Sequence, residues 1–540
     1  MKRKAVAAVL TAVMVASMFT GCGSDNGSSS AKSASAASAA SAANDTVDED
    51  GKVNGIMYQE GLPLVDEGDY TFSIFCDDSS ESGEFIMLDE FKKQTNVDVD
   101  LKIYPYETAT ERLNLDLNSG DYADVIGGWT LSDNAILTYG VNQGVFIPLE
   151  DYFEKYCPNI SAILDLPGVR EKMTAPDGHI YTIPYVCGDT TVGYSPYINT
   201  KWLENVGMSM PTTTDEFEAV LKAFKEQDAN GNGDASDEIP FSTDPNNKHI
   251  EAMAGYFGLP MNKLGIAIQD EKVVYGGVSN TYREFLSWFH KLYADGLVDV
   301  ELYTQDSSTW EGKGNQDLYG VSIAYGSNEF TGIPAAEERG DFDSMPVLNT
   351  DKGGIWLRDT EGFSVYRTMA VITNKAEHPE IICRWFDNAF ALENGIGCNR
   401  GPVGVIVNKE DDGYHAIDTT TLSEEDQEKY SWSNLWPQSL PKYLPADFEF
   451  VEEHPMYDEK KATEEAYEAN LTKEIIPSYW IDLDKIDTFS DTNTAIKDFF
   501  EQQQAQFVCG ELDIDNDADW QAYVDGMYSL GLEDWVATQG

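Results

Sequence analysis

The sequence predicts an α/β fold built from parallel βαβ units, with enough chain for more than one core. Three observations carry this. Segments with two-residue alternation give way in turn to segments with helical spacing from Tyr70 to Ile126. Strands that alternate with helices pair in parallel, because each crossover helix packs back onto the sheet. The third is size: 540 residues with 28 Tyr, 24 Phe and 11 Trp exceed one hydrophobic core, since single cores stop growing near roughly 250–300 residues.

Tyr70-Thr71-Phe72-Ser73-Ile74-Phe75 alternates large apolar with small polar residues and predicts a strand. Phe85, Leu88 and Phe91 recur at helical spacing through Glu84 to Thr95. Val97, Val99, Leu101 and Ile103 predict the next strand. Leu113 and Leu117 mark a helix that Asn118-Ser119-Gly120 stops, and Ala123 to Ile126 is a short buried strand. Such sheets bind ligands at the carboxyl ends of their strands, here Asp77-Asp78 and Gly127-Gly128-Trp129. A helical stretch near Ala135 to Glu154 precedes a turn at Asp177-Gly178 and a strand through Tyr185. The helix Asp215 to Gln227 turns Phe217, Val220, Leu221 and Phe224 inward, and Thr213 with Glu216 reads as a capping box. Phe363 to Tyr366 and Ala370 to Ile372 read as strands; from Pro379 onward the pattern is mostly helical.

Ahead of these elements stand Lys2-Arg3-Lys4, an apolar run from Ala5 to Met18, and Phe19-Thr20-Gly21-Cys22. A basic start, a short apolar stretch and small residues before a cut site make a secretory signal. The run is too short for a bilayer core of about 30 Å. Cys22 closes a pattern that resembles the lipobox of bacterial lipoproteins, with Phe19 where Leu is usual. The resemblance implies a mature chain that starts at a lipidated Cys22. Gly23 to Gly51 is rich in Ser, Ala, Gly, Asn, Asp and Thr and cannot order itself by burying apolar surface. As a flexible chain it spans roughly 30 Å. Lipid, tether and globule together predict a protein held at the extracellular face of the cell membrane.

The formal net charge is −58. A surface this acidic repels nucleic acid and anionic headgroups and disfavours a polyanionic ligand. Seven cysteines lie without a CxxC or paired spacing, so the mature ones read as small core residues. A bridge between Cys383 and Cys398 depends on whether folding brings them close.

Asp228-Ala229-Asn230-Gly231-Asn232-Gly233-Asp234-Ala235-Ser236-Asp237-Glu238 is the sharpest chemical motif. Oxygen donors at loop positions 1, 3 and 5 and a glycine at 6 match an EF-hand-like Ca²⁺ loop. Asp228, Asn230, Asn232, the Asp234 carbonyl, Asp237 and Glu238 are the expected ligands. Position 12 is Ile239, so either Asp237 or Glu238 closes the shell. The ion's expected role is structural. Asp513 to Asp519 lacks the turn glycine and reads as an acidic approach to the helix at Trp520.

No GxSxG, HExxH or P-loop occurs, and the six histidines are scattered. With 94 acidic residues, counting carboxylates singles out no acid–base pair, and a surface glycoside hydrolase stays as the rival class. For a binding protein the candidates are aromatics at strand ends and in Gly-rich loops, because sugar C–H faces stack on flat rings. Trp129 is the best placed, followed by Trp310, Tyr325 and Trp356. Asp78 is a candidate acceptor for sugar hydroxyls, and Arg400 sits in the Gly-rich stretch Gly397 to Gly401. Trp202, Trp288 and Trp385 lie at apolar helical positions and read as core.

Four blocks carry a family resemblance. They are Asp151-Tyr152…Pro158-Asn159-Ile160…Asp177-Gly178…Tyr181…Pro184; Asn199-Thr200-Lys201-Trp202-Leu203…Pro211-Thr212-Thr213…Glu216-Phe217; Asn374-Lys375…His378-Pro379-Glu380…Arg384-Trp385…Asp387; and Ala505-Gln506-Phe507-Val508-Cys509-Gly510-Glu511…Trp520…Tyr523. The chain resembles the extracellular solute-binding lipoproteins of bacterial ABC importers, in the group that captures oligosaccharides. The resemblance implies a two-lobed α/β fold hinged on crossing strands, near Tyr181 to Tyr197 and Phe363 to Thr373, with a helical C-terminal region on both lobes. The expected parts are a signal (1–21), a lipidated cysteine with a tether (22–52), an N-lobe (53–190), a C-lobe with the calcium loop (191–366) and a return crossing with helices (367–540). It also implies a monomer, permease subunits as partners and no catalysis. A non-sugar ligand such as a peptide is the alternative within the family.

Overall fold

The computed structural model describes residues 45–78, 84–245, 249–269, 272–332, 340–446, 448, 450–451, 455–476 and 479–538. The signal, Cys22 and the tether up to residue 44 lie outside them. The expected tether ran to residue 52, whereas its last residues are folded onto the globule. Asp45 accepts a hydrogen bond from the Tyr156 hydroxyl at 2.8 Å, and Lys52 pairs with Asp66 at 2.6 Å. Two polar contacts to fixed partners order a stretch whose composition alone does not.

Alternation produces the first strand, β1 (Tyr70–Asp77), then α1 (Ile86–Thr95), β2 (Val97–Tyr104), α2 (Tyr106–Ser119) and β3 (Val125–Gly127). Gly120 ends α2 in the left-handed region at φ 76°, where glycine carries no Cβ penalty. β1 lies between β2 and β3 and is parallel to both, as strands joined by crossover helices are. The long helix expected near Ala135 to Glu154 is broken instead. A π-helical turn at Ile136–Asn142 contains Gly140, whose missing Cβ leaves room for the Tyr181 ring, and a new helix starts only at Glu150.

β4 (Thr182–Gly188) completes the first stage, and the chain then leaves for a second sheet. This four-stranded sheet holds β5 (Ser195–Asn199), β6 (Ile239–Thr243), β7 (Tyr319–Ala324) and β8 (Phe342–Ser344), in the order β8-β5-β7-β6. Helix α3 (Thr214–Glu226) precedes β6 and buries Phe217, Val220, Leu221 and Phe224. Thr213 caps it by accepting the Glu216 N–H at 3.2 Å. The box closes one residue early, since Glu216 reaches back to the Thr212 N–H at 2.8 Å.

The return strand β9 (Phe363–Ile372) inserts between β3 and β4, antiparallel to both. With β10 (Tyr443–Leu444) the first sheet becomes six-stranded, in the order β10-β4-β9-β3-β1-β2. The expected crossing at Phe363 to Thr373 is therefore corrected: that strand sits within the first sheet, the crossing precedes it, and the expected lobe limit at 366 falls inside β9. The C-terminal region serves both sheets. Helix α4 (Pro379–Ala389) packs in the first core, while α5 (Ile486–Cys509) contributes Ile496, Phe500 and Phe507 to the second.

Buried Asp387 on α4 accepts from the Ile160 N–H at 2.8 Å and the Asn159 amide at 2.9 Å, and burial pushes its carboxyl up to about 6. The described cysteines are free thiols, with Cys509 exposed and Cys76, Cys157, Cys187, Cys383 and Cys398 buried. Trp385 is fully enclosed by Phe72, Phe91, Phe386 and Trp436 at ring distances of 5.0–5.7 Å. Its indole N–H has no hydrogen-bond partner. Trp385→Ala is expected to cost about 3–5 kcal/mol in denaturant titration. Trp385→Phe should cost much less, because it also removes an unpaired buried donor.

Candidate functional site

Strand directions place one edge of each sheet toward the other. β1, β3 and β4 end at Asp77, Gly127 and Gly188 on the same side of the sheet; Phe363 at the start of antiparallel β9 is opposite Gly188, and β9 runs past Gly127, which is opposite Ala370. The linker to β5 leaves from that edge, and β6 and β7 end beside its arrival point at Ser195. Residues 189–194 run between the two edges.

On the first lobe, Asp77 is fully buried and accepts the Trp129 N–H at 3.0 Å and the Thr130 N–H at 2.6 Å. Burial raises its carboxyl pKa, against the lowering effect of these donors. Gly128, at φ 133°, lies so close that a Cβ would overlap the Asp77 carboxylate at 2.4 Å. The Gly-Gly pair thus lets the loop curl over Asp77 and turn Trp129 outward, 46% exposed. Tyr366 meets the indole edge-on at 5.4 Å, and Tyr185 stacks on Tyr366 at 5.5 Å. Lys442, buried under Tyr185 at 5.0 Å, lies 5.8 Å from the ring of Trp432, and burial pushes its ammonium pKa down to about 8. Trp432 is 49% exposed.

The crossing segment is tied to both lobes. Asp189 accepts from the Tyr366 hydroxyl at 2.8 Å and from the Tyr325 hydroxyl at 3.3 Å, so one carboxylate joins tyrosines of the two sheets. Burial and Asp189 raise both phenol pKa values. Lys460, on α6 (Pro455–Tyr467), lies over the Tyr325 ring at 4.0 Å and donates to the carbonyls of Gly193 and Tyr325. Burial pushes its pKa down to about 8, opposed by Glu329, Asp359, Glu464 and Glu459. Asp359 of the return crossing accepts the Gly193 N–H at 2.6 Å, so the outgoing and returning segments are pinned together.

Trp129 and Tyr325 (37% exposed) stand partly open just past the ends of β3 and β7. Trp310 and Trp356 are corrected: they are 3% and 1% exposed. Trp310 packs on Phe330 and donates to the Ser322 hydroxyl at 3.1 Å, and Trp356 packs among Tyr256 and Tyr467. Neither offers a ring face. Asp78 is also buried, and its carboxylate accepts the Gln438 N–H at 2.8 Å. Arg400 is half-buried behind Tyr185, whose hydroxyl donates to Asn399 at 3.2 Å. Sequence reasoning missed Tyr185, Asp189, Tyr366, Trp432, Lys442 and Lys460. For Trp432 a signal existed: an indole between Ser431 and Ser433 has no apolar neighbours to call it inward.

The acidic loop between α3 and β6 has the hydrogen bonds of a cation loop. The Gly233 N–H donates to Asp228 Oδ2 at 3.0 Å, Asn232 N–H to Asn230 Oδ1 at 2.9 Å, and Asp234 N–H to Asn232 Oδ1 at 2.7 Å. Gly231 and Gly233 take positive φ. Two carboxylate oxygens, Asp228 Oδ1 and Glu238 Oε2, are buried without a hydrogen-bond partner, and burial raises the Glu238 pKa. Orphaned carboxylate oxygens are costly unless a cation meets them, so these residues fit Ca²⁺.

The sequence matches the family model for bacterial extracellular solute-binding proteins over residues 78–395. It is 32% identical over 411 residues to the fructooligosaccharide ABC transporter substrate-binding protein FusA of Streptococcus pneumoniae serotype 4 (strain ATCC BAA-334 / TIGR4), covering 74% of this chain and 70% of that one. Lipoprotein LipO of Bacillus subtilis (strain 168) is 28% identical over 280 residues, covering 50% of this chain and 52% of its own. The solved structure of S. pneumoniae FusA with kestose aligns at a TM-score of 0.76 and 26% identity, over 87% of this chain and 98% of that one. A solute-binding protein from Bifidobacterium longum infantis, described as binding HMO, shares the fold at a TM-score of 0.71 and 20% identity, over 88% and 98% of the two chains. The matched span runs from just after β1, through the second sheet and the return strand, to beyond α4. The chain belongs to the bacterial extracellular solute-binding protein family.

Proposed function

We propose that this protein captures a neutral oligosaccharide between its two lobes and delivers it unaltered to the permease of an ABC importer. The observation that carries the reading is the half-exposed indole of Trp129, fixed by Asp77 at the strand ends and backed by Tyr366 and Tyr185. An indole held open at a cleft offers a sugar a flat face and excludes water around it. The FusA relative, a fructooligosaccharide-binding protein by name, supports the same ligand class. Net charge of −58 disfavours uronate oligomers. Asp189, Tyr325 and Tyr366 supply hydroxyl-matching polar groups at the hinge.

Two supporting parts complete the reading. Cys22 carries the lipid that holds the mature chain at the outer face of the membrane; no described helix is long and apolar enough to cross one. Ca²⁺, when bound, neutralises the acidic loop. Asp228, Asn230, Asn232, the Asp234 carbonyl, Asp237 and Glu238 hold it, with Glu238 also fixing the Ala229 N–H at 2.9 Å. A relative's structure is described as an EF-hand mutant of FusA, which agrees with a loop of this type in the family.

Calorimetry against neutral di- to pentasaccharides of glucose, fructose and galactose tests the main claim. Trp129→Ala is expected to weaken the best ligand by about 1.5–3 kcal/mol, roughly ten- to a hundredfold, with the melting temperature kept. Unchanged affinity would remove Trp129 from the site, and release of shorter sugars by the wild type would establish a hydrolase instead. Chelator should lower the melting temperature of the wild type, and Asp228→Ala should abolish that response. Cys22→Ala should shift the protein from the membrane fraction to the medium; retention at the membrane would refute lipid anchoring.

A further inference from the structure

Asp77 ends β1 and Asp78 follows it directly, and successive residues of an extended chain point to opposite sides. Each holds a different loop. Asp77 takes the N–H groups of Trp129 and Thr130. Asp78 takes the Gln438 N–H at 2.8 Å, and the Gln438 side-chain amide in turn donates to the carbonyls of Trp432 at 3.0 Å and Trp436 at 2.9 Å. One strand end therefore fixes both loops that carry a half-exposed indole on this lobe. The protein encloses Trp202, Trp356, Trp385 and Trp436 fully, so leaving two indoles open is not a shortage of core.

A chain of contacts links the two indoles. Tyr366 touches Trp129, Tyr185 stacks on Tyr366, and the Lys442 ammonium sits 5.0 Å from Tyr185 and 5.8 Å from Trp432. Two rings and one buried cation thus stand between the platforms. We propose that Trp432 is a second stacking platform that selects for chain length, engaged by oligosaccharides of three or more units. Asp77 and Asp78 are positioning residues, one for each platform. The inference rests on the oligosaccharide reading above.

The test uses the full folded chain and the same glucose, fructose and galactose series, from disaccharide to pentasaccharide, by calorimetry. Wild type is measured first: if no member binds, the oligosaccharide reading falls and this inference falls with it. Where a series binds, Trp432→Ala is expected to lose about tenfold for tri- to pentasaccharides and far less for the disaccharide. Asp78→Ala should reproduce that length dependence, and Asp78→Asn should restore most of the affinity, since its amide oxygen still accepts the Gln438 N–H. Should Asp78→Ala fail to fold by circular dichroism, Gln438→Ala, which frees the Trp432 carbonyl while leaving β1 intact, takes its place. Asp77→Asn leaves one acceptor for two N–H donors and should weaken all lengths together. Equal losses at every length for Trp432→Ala, or none at any, would overturn the second platform. Loss in Asp78→Ala without length dependence would reduce Asp78 to a structural role.

Discussion

The arrangement of the cleft follows from one topological constraint: the strand Phe363–Ile372 returns from the second sheet into the middle of the first. It enters antiparallel between Val125–Gly127 and Thr182–Gly188. Because it runs against the parallel strands, its amino end lies beside the carboxyl end of Thr182–Gly188 and extends past that of Val125–Gly127. The crossing segments and the loop that carries Trp129 are thereby placed on the same side of the sheet. Tyr366, early in this strand, can then both back Trp129 and reach Asp189 in the outgoing segment. A return strand at the sheet's margin would separate the moving part of the molecule from the part that binds.

Charge is handled differently at the surface and at the hinge. Surface ion pairs such as Lys93–Glu90 and Lys485–Asp482 are exposed and worth little. At the hinge, Lys460 is buried against backbone carbonyls, with Glu329, Asp359, Glu464 and Glu459 around it. A buried ammonium is tolerated only where such partners compensate lost hydration. Its helix therefore has one favourable seat, which touches the crossing segment and the end of the β7 strand together. This pins the crossing segment to the second sheet.

Much of the first lobe was legible because its information is local. The run from Tyr70 to Gly127 alternates and then spaces its apolar residues so clearly that strand, helix and parallel pairing follow. The hydrogen-bonded acidic loop from Asp228 to Glu238 was legible as a loop for the same reason, its oxygen-bearing residues lying within eleven consecutive positions. Trp129 was readable from Gly127-Gly128, since two glycines before an aromatic signal a tight curl. Trp310 and Trp356 show where this logic ends. Trp356 also follows a Gly-Gly pair, yet it is closed over by Tyr256 and Tyr467, which are far away in sequence. The place of Phe363–Ile372 was hidden likewise, because pairing with strands more than 170 residues earlier leaves no local trace. Asp78 was read as an acceptor for sugar hydroxyls, whereas it is buried and accepts from Gln438, 360 residues away.

The free thiols described above set how this molecule responds to its surroundings. With Cys76, Cys157, Cys187, Cys383 and Cys398 buried and unbonded, no covalent staple among the described residues holds the lobes in shape. Oxidant outside the cell meets a closed interior, and reductant has no bridge there to break. The fold is thus indifferent to redox potential on the exposed side of a membrane where many exported proteins depend on it. The exception is Cys509, at the end of the last long helix. It is the single exposed thiol of the described residues, so a maleimide dye would attach there and report on the second lobe alone.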